Sequence, residues 1–164
     1  MGRPRRVFTT EFPFHVVQRG HDRDPIFRNP SDFIQFIRIL EHTKKLIPLK
    51  IFSFCLMTNH FHLVLQNVSD GAELSRFMRD LCSTYGRSFN AQYRRSGTLW
   101  EGRFRSSLIE NDEYLLACNR YVELNPIRAG LTQELEEYRW TSFHHRTGKH
   151  HVWWLDEDPC YTRL

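Results

Sequence analysis

The chain has no Cys-x-x-Cys pair, no apolar run near the roughly 18 residues of a membrane span, no internal repeat and no low-complexity tract. The first absence argues against a zinc ribbon. The four cysteines, Cys55, Cys82, Cys118 and Cys160, are widely spaced and sit in or beside apolar stretches, as small buried thiols do. A reduced cytoplasm is therefore the expected setting, with no membrane partner. The start, Met1-Gly2-Arg3-Pro4-Arg5-Arg6, lacks an apolar block after its charges, so no secretion signal is expected. What remains is a chain of 164 residues, 40% hydrophobic and 14% aromatic, enough to bury one core without staples.

Acidic residues are scarce in two places. Residues 1–28 hold six arginines against three acids, and residues 72–105 hold seven against three. Residues 106–164 reverse the balance, with six basic side chains against ten acids. Arginine forks onto phosphate and stacks on bases, so this pattern suits nucleic acid, although a solvated basic face would carry the same charges. Phe77, Tyr85, Phe89, Tyr93, Trp100 and Phe104 are interleaved with the arginines. They suit stacking on unpaired bases, but several must also build the core.

Periodicity predicts a strand over residues 13–19 and a helix from Ser31, as N-cap, to Leu46. It further predicts strands over 49–57 and 60–66, a helix over 72–93 and an extended segment or hairpin over 97–109. A third helix is expected from a cap at Asn111 to Asn125, ended by Pro126. This order matches an α+β, ferredoxin-like split βαβ sheet with an added helix. Residues 1–143 read as one domain and 144–164 as a tail, with Trp153-Trp154 expected to pack it down. His144, His145, His150 and His151 are expected to be exposed rather than to form a second metal site.

On the strand His60-Phe61-His62-Leu63-Val64-Leu65, side chains alternate. His60 and His62 share one face, about 7 Å apart along the strand, and could converge on one cation while Phe61, Leu63 and Leu65 hold the core. A pair of histidines on a half-exposed strand is the plainer alternative. Two imidazoles need a further donor. Among the six tyrosines, only Tyr121 lies in a confident helix with a hard-oxygen ligand one turn on, Asn125. Two imidazoles and an amide oxygen would suit Mg²⁺ or Mn²⁺ on a phosphodiester. The same spacing also suits an interior tyrosine with its hydroxyl bonded and an asparagine ahead of a proline.

Taken together, these motifs resemble the REP-associated tyrosine transposases. These are a branch of the single-tyrosine insertion-sequence transposases within the His-hydrophobic-His nucleases. The resemblance runs in order over residues 3–143. It is carried by Phe14-His15-Val16-Val17-Gln18-Arg19-Gly20 with Pro25-Ile26-Phe27, and by Leu56-Met57-Thr58-Asn59-His60-Phe61-His62-Leu63. It continues in Gly97-Thr98-Leu99-Trp100-Glu101-Gly102-Arg103-Phe104-Arg105-Ser106 and in Arg120-Tyr121-Val122-Glu123-Leu124-Asn125-Pro126-Ile127-Arg128-Ala129-Gly130. Trp140-Thr141-Ser142 closes it. Most single-tyrosine relatives carry Gln where this chain has Asn125.

The resemblance implies a transposase that cuts and rejoins single-stranded DNA at hairpin-forming palindromic repeats. Tyr121 would be the nucleophile, forming a 5′-phosphotyrosine. His60, His62 and Asn125 would hold the metal. Arg3, Arg5 and Arg6 correspond to a basic arm that recognises a guide sequence, and Arg19, Arg103 and Arg105 fall within the matched motifs as expected DNA contacts. Either a monomer or a homodimer is compatible with the family. A module that keeps the fold and binds DNA or RNA without cutting is the alternative.

Overall fold

In the computed structural model, which describes residue 6 and residues 8–161, a four-stranded antiparallel sheet has the order β2-β3-β1-β4. The strands are β1 (Phe14–Arg19), β2 (Lys50–Leu56), β3 (His60–Gln66) and β4 (Arg105–Leu108). Helices α1 (Pro30–Leu46) and α2 (Glu73–Tyr93) make the two crossovers, and α3 (Asp112–Arg128) follows β4. This is the split βαβ arrangement: β3 lies between β1 and β2 and runs antiparallel to both.

The two faces of the sheet are covered differently. Phe14, Val16, Phe54, Leu56, Phe61, Leu63 and Leu65 bury one face against Phe36 and Leu40 of α1 and Leu74, Phe77, Leu81, Tyr85 and Phe89 of α2. Fully burying a side chain of this size contributes roughly 1.5–3 kcal/mol, so this layer dominates the fold. The opposite face packs Phe52, Cys55 and Val64 against Leu115, Cys118 and Val122 of α3. Val64 and His62 face α3 while their neighbours face α1 and α2, which buries β3 on both sides.

Two boundaries differ from those expected. The cap of α1 is Asn29, not Ser31: Asn29 Oδ1 accepts from Ser31 N at 3.0 Å, and Asp32 Oδ2 takes the Asn29 N–H. Pro30 then occupies the first turn, where its missing N–H costs nothing. Pro126 does not end α3, which continues to Arg128 with Ala129 N donating to Asn125 O at 2.9 Å. A proline near a helix end removes one bond without stopping the next residues from closing theirs.

The aromatic residues among the arginines are mostly structural. Phe77, Tyr85 and Phe89 are buried, and Tyr93, Trp100 and Phe104 lean on the same core. After α3 the chain makes a short helix, α4 (Phe143–Arg146), with residues 140–142 before it and Asp156 after it bonded to the outer edge of β2. Trp154 is buried with its ring 4.9 Å from that of Phe54, whereas Trp153 is 53% exposed beneath Lys45. His144 and His145 are only partly exposed. His144 Nε2 bonds Tyr138 O, and His145 Nδ1 accepts from Val152 N at 3.0 Å, so these two brace the tail. His150 and His151 are exposed. No described helix is long and apolar enough to cross a membrane.

Candidate active site

The strand register assembles the site across distant segments. Arg19 of β1 stands opposite His60 of β3, Val17 opposite His62, and His15 opposite Val64. His15, Arg19, His60 and His62 therefore share the face that α3 covers.

Each imidazole is held by its neighbours. His60 Nδ1 donates to Asn59 Oδ1 at 2.6 Å. His62 Nδ1 lies 2.9 Å from His15 Nε2, with the two rings nearly coplanar at 10°. His62 Nε2 is buried and has no hydrogen-bond partner among the described residues. A buried polar atom left alone in this way costs free energy unless a ligand meets it.

All three rings are kept neutral. Burial, then the Arg19 charge, pulls His60 down to about 4. Burial, followed by His15, His60 and Arg19, pulls His62 down to about 2. Burial also lowers His15. Neutral imidazoles with free ring nitrogens have the protonation state that a metal requires.

The turn before β3 is braced from below. Gly20 N donates to Asn59 O at 2.8 Å, and Ile26 N and Phe27 N both donate to Thr58 O. Asn59 Nδ2 reaches Arg23 O at 3.1 Å. Gly20 makes this closeness feasible, because a Cβ there would stand 2.5 Å from Asp24 O.

From the other side, α3 brings Tyr121 over the imidazoles. Its ring centre is 5.9 Å from His15 and 6.1 Å from His62, edge-on to both. Tyr121 is 40% exposed, and its hydroxyl has no hydrogen bond among the described residues. This is not the interior tyrosine with a bonded hydroxyl that the spacing left open. By contrast, Tyr85, Tyr93 and Tyr138 all donate their hydroxyls, to Ile26 O, Asp32 Oδ2 and Leu56 O. The Arg128 guanidinium lies 4.7 Å from the Tyr121 ring centre. Asn125, one turn on, is buried and donates Nδ2 to Tyr121 O at 2.9 Å, which leaves its amide oxygen for another partner.

Among the described residues, no three His, Cys, Asp or Glu side chains are grouped to hold a metal by themselves. The side chains that could donate to one are the imidazoles of His60 and His62, and Asn125 on α3 has an amide oxygen left over from its bond to Tyr121 O. The unpartnered His62 Nε2 is the observation that favours a cation among them. A mixed nitrogen and oxygen set with open positions suits Mn²⁺ or Mg²⁺.

Three of the expected arginines come together. Arg19, Arg103 and Arg105 line a cavity of about 310 Å³ with Val17, Gln18, Glu101 and Gly102, beside His60. Gln18 Nε2 donates to Gly102 O at 3.0 Å and ties the loop before β4 to β1. Arg6 donates Nη1 to Phe104 O at 2.7 Å, so it borders the same region. Arg3 and Arg5 lie outside the described residues.

His15 is the site residue that the sequence reading did not single out, although it stands in the quoted opening motif. The signal was present. In the expected sheet order β1 flanks β3, so a histidine in phase with Arg19 on β1 had to face the His60–His62 side.

Comparison with known proteins follows the same lines. The family model described as "Transposase IS200 like" matches residues 8–125. A Haemophilus influenzae protein, named as a candidate REP-associated tyrosine transposase, is 25% identical over 126 residues, covering 70% of each chain. A solved REP-associated tyrosine transposase, bound to a REP hairpin, superposes with a TM-score of 0.73 at 14% identity, over 96% of this chain and 99% of that one. A candidate transposase from Deinococcus radiodurans gives a TM-score of 0.51 at 14% identity, over 74% and 96%. With the family match spanning most of its length, sheet and most of α3 included, the chain belongs to the IS200-like transposase family.

Proposed function

We propose that the protein is a metal-dependent single-stranded DNA endonuclease and strand transferase, with Tyr121 as nucleophile and hairpin-forming palindromic repeats as substrate. The observation that carries this reading is the convergence of an exposed phenol, its hydroxyl unbonded among the described residues, on the neutral imidazoles of His15 and His62. The name of the Haemophilus influenzae relative and the hairpin bound to the solved one support the substrate class.

His60, His62 and Asn125 would hold a divalent cation, Mg²⁺ or Mn²⁺, which would supply positive charge to a phosphate oxygen. His15 keeps His62 oriented through its 2.9 Å contact at Nδ1, so that Nε2 faces the site. Arg19, Arg103 and Arg105 draw the DNA backbone alongside. Tyr121 Oη attacks phosphorus, the bond to the 3′ oxygen breaks, and the strand is left with a 5′-phosphotyrosine and a free 3′-hydroxyl. A 3′-hydroxyl later reverses the step and regenerates the phenol. Every group named belongs to one chain, so a monomer would suffice.

The test is a denaturing gel. Wild-type protein with Mn²⁺ and a hairpin oligonucleotide should give a covalent adduct that EDTA prevents. Tyr121→Phe should bind the oligonucleotide and form none. An adduct that persists in Tyr121→Phe would defeat this assignment.

A further inference from the structure

Asn119 and Glu123 lie one turn apart on α3, and each is 1% exposed. Both are bonded to polar groups outside the helix. Asn119 Oδ1 accepts from Ser53 Oγ at 2.6 Å, and its Nδ2 donates to Asp158 Oδ2. Glu123 Oε1 accepts from Ser142 Oγ at 2.7 Å, while Oε2 accepts from Arg146 Nε at 2.8 Å and also from Nη2. Ser142 is itself fixed to β2, donating its N–H to Phe54 O at 3.0 Å and accepting from Phe54 N at 3.2 Å.

The bulge in β2 makes part of this network. Pairing passes from Ile51↔Leu65 to Ser53↔Val64, so Phe52 is the extra residue and both Phe52 and Ser53 reach the α3 side.

This network has a cost and a use. A buried carboxylate is expensive to desolvate, and an apolar pair of similar shape often serves stability as well. What apolar packing lacks is direction. Leu115, Cys118 and Val122 would tolerate a small rotation of α3 about its axis, whereas bonds at two consecutive turns resist it. On a helix of 3.6 residues per turn, Tyr121 stands about 160° from both Asn119 and Glu123. With side chains reaching about 5–6 Å from the axis, a rotation of about 20° would carry the tyrosine roughly 2 Å. Misplacement of about 1 Å can already slow a reaction about 100-fold.

We propose that the segment after α3, through Ser142, Arg146 and Asp158, is a latch that fixes the rotation of the nucleophile helix. Asn119 and Glu123 are then positioning residues for Tyr121. This rests on Tyr121 being the nucleophile. It also gives the Trp140-Thr141-Ser142 motif a role, since Ser142 joins β2 to the buried carboxylate.

The experiment compares Glu123→Gln, Arg146→Met and Arg146→Lys in the full chain, with Ser142→Ala replacing Arg146→Met if that variant does not fold. Hairpin oligonucleotide affinity should stay within about threefold of wild type. Single-turnover adduct formation at saturating DNA should slow 10- to 100-fold in Glu123→Gln and Arg146→Met, and Arg146→Lys should recover part of it. In parallel, 3-fluorotyrosine placed at position 121 should show a shifted or broadened ¹⁹F resonance in the slow variants, because the ring leaves its place beside His15 and His62. Unchanged rates, or an unchanged resonance in variants that have lost the pair, overturn the latch. If wild type forms no adduct, the nucleophile assignment fails instead, and the ¹⁹F comparison still decides whether the network orients the ring.

Discussion

His15 Nε2 stands 2.9 Å from His62 Nδ1, and this one contact decides which nitrogen of His62 faces the site. With Nδ1 engaged, Nε2 is the nitrogen left for a ligand, and among the described residues it has no partner. Partners that orient a metal-bound imidazole commonly change affinity about 10- to 100-fold when removed. His15→Phe should therefore weaken Mn²⁺ binding by about that factor, measured by calorimetry in a Tyr121→Phe background. His62→Ala should abolish binding in the same assay. Equal affinity in His15→Phe and its parent would show that His15 does not orient the ring.

Arg19, Arg103 and Arg105 line one cavity and should each neutralise a phosphate. For single strands, each such contact contributes about 0.7 to the slope of log affinity against log salt. Each alanine variant should flatten that slope by about 0.7 and weaken binding across unrelated sequences alike. An unchanged slope would remove that arginine from the DNA path.

Alkaline pH should loosen the fold. Burial pushes the Cys118 thiol up to about 11, and burial followed by Glu123 raises Cys55. Burial also raises the Tyr138 phenol, which donates to Leu56 O. Because the unfolded thiols ionise first, near pH 9, the stabilisation is complete below that value and is lost as pH rises through the folded-state values. The melting temperature under reductant should fall between about pH 9 and 11, and Cys118→Ala should make the fall shallower.

Gly20→Ala should damage the site from beneath. Its Cβ would meet a backbone oxygen at 2.5 Å and Ile26 Cγ2 at 2.8 Å, neither of which can swing aside freely. A loss of about 1–3 kcal/mol is expected from chemical denaturation, as for other overpacked positions. Because Gly20 N holds Asn59 O, the variant should also weaken Mn²⁺ binding more than its stability alone would suggest.

Much of this was legible in the chain before any coordinates. Alternation on His60-Phe61-His62-Leu63 placed the imidazoles on one face, and the four-residue step from Tyr121 to Asn125 placed those two on one helix flank. Both are local rules that hold within a single element. The missed features depend on contacts between elements. His15 reaches His62 only because β1 and β3 are neighbours in the sheet, and Arg146 meets Glu123 only because the chain after α3 folds back. The aromatic residues of α2 were ambiguous for a related reason, since the stripe that could stack bases is the stripe that α1 buries. Pro126 misled because proline does not stop a helix that has only two residues left to run.

The site draws on β1, β3 and a helix that begins roughly fifty residues beyond His62. Such distant partners meet late, because long loops must close before any contact rewards them. A chain emerging from the ribosome would display its paired imidazoles well before it owned a phenol to set above them. On the proposed reading, cutting would have to wait until α3 had been made, and a chain terminated before Tyr121 would lack its nucleophile.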